Sequence, residues 1–182
     1  DLVRQAAQVE GRDLGLVRLR DVPDEVRVFQ IGSAEFPPLR IATPASTNLP
    51  AAHTDLIGRS EEVLAVRVAL QSSRLVTLVA GGGAGKTRLA MAVGESELAH
   101  RRDGVWFVDL TALRESSQLE SAIAHGMELT PAAGDVLGQI LSFLHDKDLL
   151  LVLDNCEHLV DACADFAEAF LSSPGSSVVL AT

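Results

Sequence analysis

The stretch Leu75–Leu89, LVTLVAGGGAGKTRL, holds three textures in fifteen residues. Leu75, Val76, Thr77, Leu78 and Val79 form an apolar, β-branched run, which predicts a buried strand. Gly81, Gly82, Gly83, Ala84 and Gly85 predict a tight bend, and Lys86, Thr87 and Arg88 open a helix. Strand, glycine bend and helix in this order, with Lys-Thr at the helix start, spell a phosphate-binding loop, or Walker A motif. Glycines let successive backbone N–H groups approach an anion closely, and the helix start adds unpaired donors and the positive end of its dipole. In such a loop Lys86 reaches the β and γ phosphates of a nucleotide, and the Thr87 hydroxyl completes the shell of a Mg²⁺ ion. Ala80 stands where the first glycine of the pattern usually falls, and Gly81 beside it keeps the turn flexible.

Outward from this loop, strands and helices alternate. Upstream, Leu56 to Ser72 predicts a helix capped by Asp55 or Ser60, with Val63, Val66 and Leu70 recurring at helical spacing. Downstream, Gly104 to Leu110 reads as a strand, Leu119 to Met127 as a helix with Leu119, Ile123 and Met127 on one face, and Val136 to His145 as a further helix. Leu149 to Leu153 is a continuous apolar strand, Glu157 to Leu171 a helix with the stripe Leu159, Cys163, Phe166, Phe170, and Ser177 to Ala181 a last strand. Four strands with helices between them specify an α/β fold whose mainly parallel sheet is buried on both faces. Leu89 and Val93 belong to the core, and Trp106 and Phe107 pack on opposite sides of the sheet.

Asp154 ends the run LLLVLD. Ligands of open α/β sheets bind beyond the carboxyl ends of the strands, so Asp154 and the glycine loop are expected to face one crevice. There Asp154 either holds Mg²⁺, as a Walker B carboxylate, or caps the next helix. Asn155 follows it where a second acid is common. Glu157 is the nearest alternative carboxylate. It either orients an attacking water or serves as a first-turn helix residue favoured by the dipole. Slow hydrolysis, or a switch that mostly holds nucleotide, follows from this composition better than rapid turnover. His158 touches phosphate or packs, and His53, His100, His125 and His145 form no ligand set.

Composition bounds the alternatives. The 182 residues are 47% hydrophobic with a formal net charge of −10, enough for one domain plus appendages. Residues 1–45 hold seven acids and six bases, leaving 18 acids against 9 bases beyond. Such a surface is a poor nucleic-acid binder, so no direct DNA contact is expected. No signal peptide or membrane-length apolar run is legible, and a cytoplasmic location is expected. Cys156 and Cys163 fall on one expected helix two turns apart, about 10 Å at 1.5 Å per residue, too far for a disulfide. Buried reduced thiols are the reading.

Three segments follow: 1–35, 36–54 and 55–182. In the first, Leu14 to Leu19 and Val26 to Ile31 are strand-like runs joined by a turn around Asp21–Asp24, a β-hairpin. The second holds four of the seven prolines, Pro37, Pro38, Pro44 and Pro50, and reads as an extended linker.

Several motifs resemble known families. RDLGLVRLRDVPDEVRVFQIG is similar to the closing hairpin of class III adenylate/guanylate cyclase catalytic domains, with Val17 where relatives usually have His. The catalytic residues of that family lie upstream of Asp1, so the resemblance implies at most an accessory tail and no cyclase active site. NLPAAHTDLIGR, VTLVAGGGAGKTRLA, DGVWFVDL, LLLVLDNCEHLVDACA and VVLAT, in this order, resemble the ATPase modules of bacterial STAND regulators, the NB-ARC or AP-ATPase branch of P-loop NTPases, of LuxR-like or SARP-like type. The resemblance covers about residues 48 to 182. It implies a three-layer P-loop NTPase sandwich with sheet order 5-1-4-3-2, ATP or ADP with Mg²⁺ as ligands, and Ile57, Gly58 and Arg59 as contacts on the base side. It also implies that the nucleotide lies on Gly81 to Arg88 with Asp154 opposite, and that the partners are other domains of a larger regulator or a cyclase core. Relatives continue with a sensor arginine, a fifth strand and a helical lid, so a truncated fragment is expected. A non-catalytic interaction fragment is the competing functional reading.

Overall fold

The structure, a computed structural model, describes residues 11–18, 25–31, 47–50 and 58–182. The chain divides into two compact units, Asp1–Pro44 and Ala45–Thr182. In the first, β1 (Gly11–Arg18) and β2 (Glu25–Ile31) pair antiparallel, Arg18 opposite Glu25 and Gly11 opposite Ile31, with one irregularity between Asp13 and Gly15. The strand pairing is that of the expected hairpin, although its first strand begins at Gly11 rather than Leu14. Its turn lies outside the described residues, as does most of the 36–54 stretch.

The second unit runs α1 (Ser60–Ser72), β3 (Leu75–Thr77), α2 (Lys86–Glu97), β4 (Val105–Asp109), α3 (Leu119–Gly126), α4 (Val136–His145), β5 (Leu150–Asp154), α5 (Val160–Ser172) and β6 (Val178–Ala181). The four strands are all parallel, in the order β3-β6-β5-β4. Parallel neighbours require crossovers, and the helices between the strands supply them. The observed order is the 1-4-3-2 part of the expected sheet.

Strand alternation builds the two cores. On one face Trp106, Val108, Leu151, Leu153 and Val179 meet Ile123 of α3, Ile140 and Leu144 of α4, and Phe166 and Phe170 of α5. On the other, Val105, Leu150, Val152, Val178 and Leu180 meet Val66 and Leu70 of α1 and Leu89, Ala90 and Val93 of α2. A period of two along each strand therefore places helices on both sides, the three-layer arrangement. Trp106 and Phe107 fall on opposite faces, as expected. The central β5 is buried throughout, which is why it reads as an unbroken apolar run.

Four local expectations are corrected. β3 ends at Thr77 and is half-buried at best, because it has a strand neighbour on one side only among the described residues; Val79 is 89% exposed. α1 starts at Ser60 with Arg59 at its N-cap and no side-chain cap bond, so Ser60 is the first helical residue rather than the cap. Asp55 lies outside the described residues. α5 starts at Val160 and not at Glu157, because Asn155 takes a left-handed conformation (φ 63°) and Cys156–His158 form a separate 3-10 turn. The two cysteines consequently do not share a helix, and both are half-buried rather than buried.

Within the stretch read as a linker, residues 47–49 lie against the sheet. Thr47 makes a parallel bridge to Val105, and Asn48 accepts the Phe107 N–H at 2.6 Å while its amide donates to the carbonyls of Phe107 (2.8 Å) and Gly126 (2.9 Å). One side chain thus satisfies both main-chain groups of an outward-facing strand residue.

Candidate functional site

The glycine bend between β3 and α2 is exposed at Gly81, Gly82 and Gly83. A Cβ added at any of these three would meet no atom within 4 Å, so the space over the loop is open to a ligand. Left-handed backbone is needed at Gly83 (φ 75°) and Gly85 (φ 83°), a conformation other residues adopt only at a cost. Gly85 is the N-cap of α2 without a side-chain cap bond, and the first turn of the helix carries no acid. An anion is the natural partner for such a helix start.

Lys86, first residue of α2, turns back over the loop. Its ammonium donates to the Ala80 carbonyl at 3.0 Å and pairs with Glu157 at 2.7 Å. Thr87 points toward the sheet and donates its hydroxyl to Asp154, 3.0 Å from Oδ1 and 2.9 Å from Oδ2. The Asp154 carboxylate is 1% exposed at the carboxyl end of β5. It also accepts the Thr182 hydroxyl at 2.5 Å and the Asn155 amide at 3.0 Å. All three donors are neutral. A buried carboxylate held this way keeps its lone pairs satisfied while its negative charge stays uncompensated by them, which favours a cation nearby.

Beyond Asp154 the network continues to β4. The Asn155 amide donates to Asp109 (3.1 Å) and to the Thr111 hydroxyl (2.7 Å), and Asp109 accepts the Thr111 N–H (2.9 Å) and hydroxyl (2.5 Å). Asp109 and Asp154 occupy equivalent register positions on adjacent strands. The Thr111 hydroxyl, against the opposing effect of burial, holds the Asp109 carboxyl below its ordinary range, with help from the Thr111 N–H and the Asn155 amide. Glu157 is likewise lowered, by the hydrogen bond and charge of Lys86.

Lys86, Thr87, Asp154 and Glu157 are therefore brought together at one end of the sheet, with Gly81 to Gly85 beside them. The Arg59 guanidinium also reaches this loop, its Nη1 lying 3.8 Å from where a Cβ on Gly85 would stand. Gly58 is exposed with φ 78° and Arg88 is exposed; Ile57 lies outside the described residues. His158 turns to the Leu113 carbonyl at 3.2 Å. Asp109, Thr111 and Thr182 were not singled out from sequence, although Asp109 ends VWFVD just as Asp154 ends LLVLD. No group of three His, Cys, Asp or Glu side chains that could hold a metal occurs among the described residues. Nor, among them, is any helix long and apolar enough to cross a membrane.

Residues 69–181 match the AAA domain family. The chain belongs to that family. Domains of the AAA type bind nucleotide, and here the glycine loop with Lys86 and Thr87 lies beside Asp154 at one end of the parallel sheet. A candidate HTH-type transcriptional regulator of Mycobacterium tuberculosis is 40% identical over 119 residues, which are 64% of this chain and 13% of the relative. Its counterpart in Mycobacterium bovis aligns to the same extent. An uncharacterized protein of Mycobacterium tuberculosis is 34% identical over 131 residues, 71% of this chain and 33% of the relative. This AAA domain thus spans a third or less of the curated relatives it matches.

Proposed function

We propose that residues 55–182 are an ATP/ADP-binding switch module of STAND, NB-ARC type, working within a bacterial signalling or transcriptional regulator and hydrolysing nucleotide slowly or not at all. Residues 1–35 are on this reading the closing hairpin of a class III cyclase-like domain, and 36–54 the connection to it. The observation that carries the proposal is the Thr87 hydroxyl on the buried Asp154 carboxylate, one residue from the Lys86 ammonium over an open glycine loop. Backbone amides of the loop and Lys86 suit a polyphosphate, and Gly58 and Arg59 at the start of α1 suit the nucleoside side.

Mg²⁺ fits the donor set, since Thr87 and Asp154 offer hard oxygen atoms and no thiol or imidazole. These two residues would hold it, and the ion would supply charge neutralisation and orientation of the phosphate oxygens.

Slow hydrolysis follows from the candidate bases. Asn155, in the place of a second acid, spends its amide as a donor to Asp154, Asp109 and Thr111 and cannot take a proton. Glu157 and Asp109 are both held below the usual carboxylate range, and a weakened base is a poor acceptor from an attacking water.

A competing reading, an interaction fragment without nucleotide, draws on Lys86 already being engaged by Glu157 and the Ala80 carbonyl. Titration with fluorescent ATP and ADP analogues, with and without Mg²⁺, decides between them. Saturable binding strengthened by Mg²⁺ and lost in Lys86→Ala is expected. Equal signals from wild type and Lys86→Ala, or none at millimolar nucleotide, would reject the switch and favour the fragment.

A further inference from the structure

At the end of the sheet opposite the glycine loop, where β3 and β6 begin, a cleft of 420 Å³ opens between the last turns of α1 and α2 and the chain before β6. Arg67, Arg74 and Arg101 line it against one carboxylate, Glu97. Glu97 is 5% exposed and accepts Arg67 Nε on Oε1 at 2.9 Å and Arg101 Nε on Oε2 at 3.0 Å. Two cations make its burial tolerable. With both Nε atoms spent on Glu97, what the two guanidinium groups offer elsewhere is their terminal nitrogens. Arg101 gives Nη1 to Asp148 at 3.2 Å. Arg67 Nη2 stands 3.3 Å from Nε2 of His100, whose Nδ1 donates to the Ser96 carbonyl at 3.0 Å.

Arg74 enters from the start of β3. Its Nε and Nη1 donate to the carbonyls of Ser177 (3.3 Å) and Ser173, and its guanidinium carbon lies 4.3 Å from the centre of the Phe170 ring. These contacts hold the group in place and bring no negative charge to it. Three cations thus meet two carboxylates, Glu97 and Asp148, on a chain whose net charge is −10. Fastening α1 to α2 explains Glu97 between two arginines. It does not explain a third guanidinium held beside them with no acid of its own.

We propose that this cleft is a second anion site, apart from the glycine loop, and that it takes a tetrahedral phosphoryl group. One guanidinium satisfies a planar carboxylate with a two-pronged contact, whereas donors converging from α1, β3 and the end of α2 suit an anion with oxygen atoms on several sides. Arg67 and Arg74 bind the anion, Glu97 and Arg101 position Arg67, and the exposed His100 stands at the rim.

The test needs no nucleotide, so its outcome is separable from that of the switch reading. Inorganic phosphate is titrated into the intact chain by calorimetry at constant ionic strength set with chloride, in wild type and in Lys86→Ala, which disables the loop. Saturable binding that survives Lys86→Ala is expected. In that background Arg74→Gln should weaken it at least about tenfold, the loss of one charge-assisted contact. Arg67→Lys keeps a cation for Glu97 but loses the fork, and should weaken it at least about threefold even where Arg74→Gln disturbs the fold. Phosphoserine is the second probe: tighter binding than phosphate would assign a phosphomonoester, and weaker binding the free ion. No saturation beyond the chloride control, binding lost in Lys86→Ala, or binding indifferent to both arginine variants would overturn the proposal.

Discussion

Replacing Thr182 by valine tests the network that aims Asp154. The substitution keeps shape and removes one oxygen, which here donates to the 1%-exposed carboxylate at 2.5 Å and accepts the Asn155 N–H at 3.1 Å. A hydrogen bond to a charged group contributes about 1.5–3 kcal/mol, and a neutral one roughly 1 kcal/mol. Asp154 keeps the Thr87 and Asn155 donors, so the full cost of an orphaned charge does not arise. The expected loss is about 2–4 kcal/mol, or a fall in Tm of roughly 6–12 °C for a unit of this size. Thr182→Ser retains the oxygen and loses one methyl, worth up to about 1 kcal/mol.

Urea denaturation with an unchanged m-value measures the difference. Combining Thr182→Val with Thr87→Val should cost more than the two single losses together, because the second removal leaves Asp154 with the Asn155 amide alone among these donors. The same variant should weaken the Mg²⁺-dependent part of nucleotide binding more than the part seen without the ion. A valine variant within about 0.5 kcal/mol of wild type, or a serine variant no better than valine, would refute the reasoning.

Three further outcomes are expected. Gly126→Ala would place its Cβ 2.6 Å from Val108 Cγ2, and overpacking against a stiff β-branched side chain should outweigh the helix-propensity gain and cost about 1–2 kcal/mol net; a stabilised variant would contradict this. Asn48→Ala removes three hydrogen bonds at the sheet edge and should cost about 1–2 kcal/mol, with faster amide exchange at Phe107 as the local readout. The lowered Asp109 carboxyl stabilises the fold at pH above its ordinary value of 3.8, and that contribution is lost as pH falls through its lower folded value. Asp109→Asn should therefore flatten the decline of the urea midpoint in that acid window, and an unchanged slope would show that Asp109 is not the group responsible.

The features legible in the sequence are those with a short-range signature. The strand–glycine–helix switch at 75–89, the unbroken run of β5 and the helical stripe of Val136–His145 each state their own conformation. Alternation along VWFVD even assigns Trp106 and Phe107 to their faces. What escaped reading depends on backbone handedness or on partners distant in the chain. Asparagine tolerates the left-handed region, but nothing local requires it at Asn155, yet that one residue separates Cys156 from α5. Thr182 joins the site only because β6 lies beside β5, and Asn48 matters only where β4 exposes an edge. Asp109 was the nearest miss, since it closes an apolar strand just as Asp154 does, and only the parallel register reveals that the two are neighbours.

On the proposed reading the carboxylate of Glu157 holds the place of a phosphate. It sits 2.7 Å from the Lys86 ammonium and is 66% exposed, so the pair is weak in water and readily exchanged for a ligand carrying several charges. Exchange would release the 3-10 turn Cys156–His158 at its middle residue while leaving both flanks anchored, Cys156 through its N–H to the Thr182 carbonyl and His158 to the Leu113 carbonyl. A turn held at both ends and freed at its centre can rotate but not depart. The first structural consequence of polyphosphate on Lys86 would then be a change at the amino end of α5, the helix whose Phe166 and Phe170 reach the buried core. On that reading a phosphate-sensing contact on the loop would be coupled to the body of the domain without requiring hydrolysis.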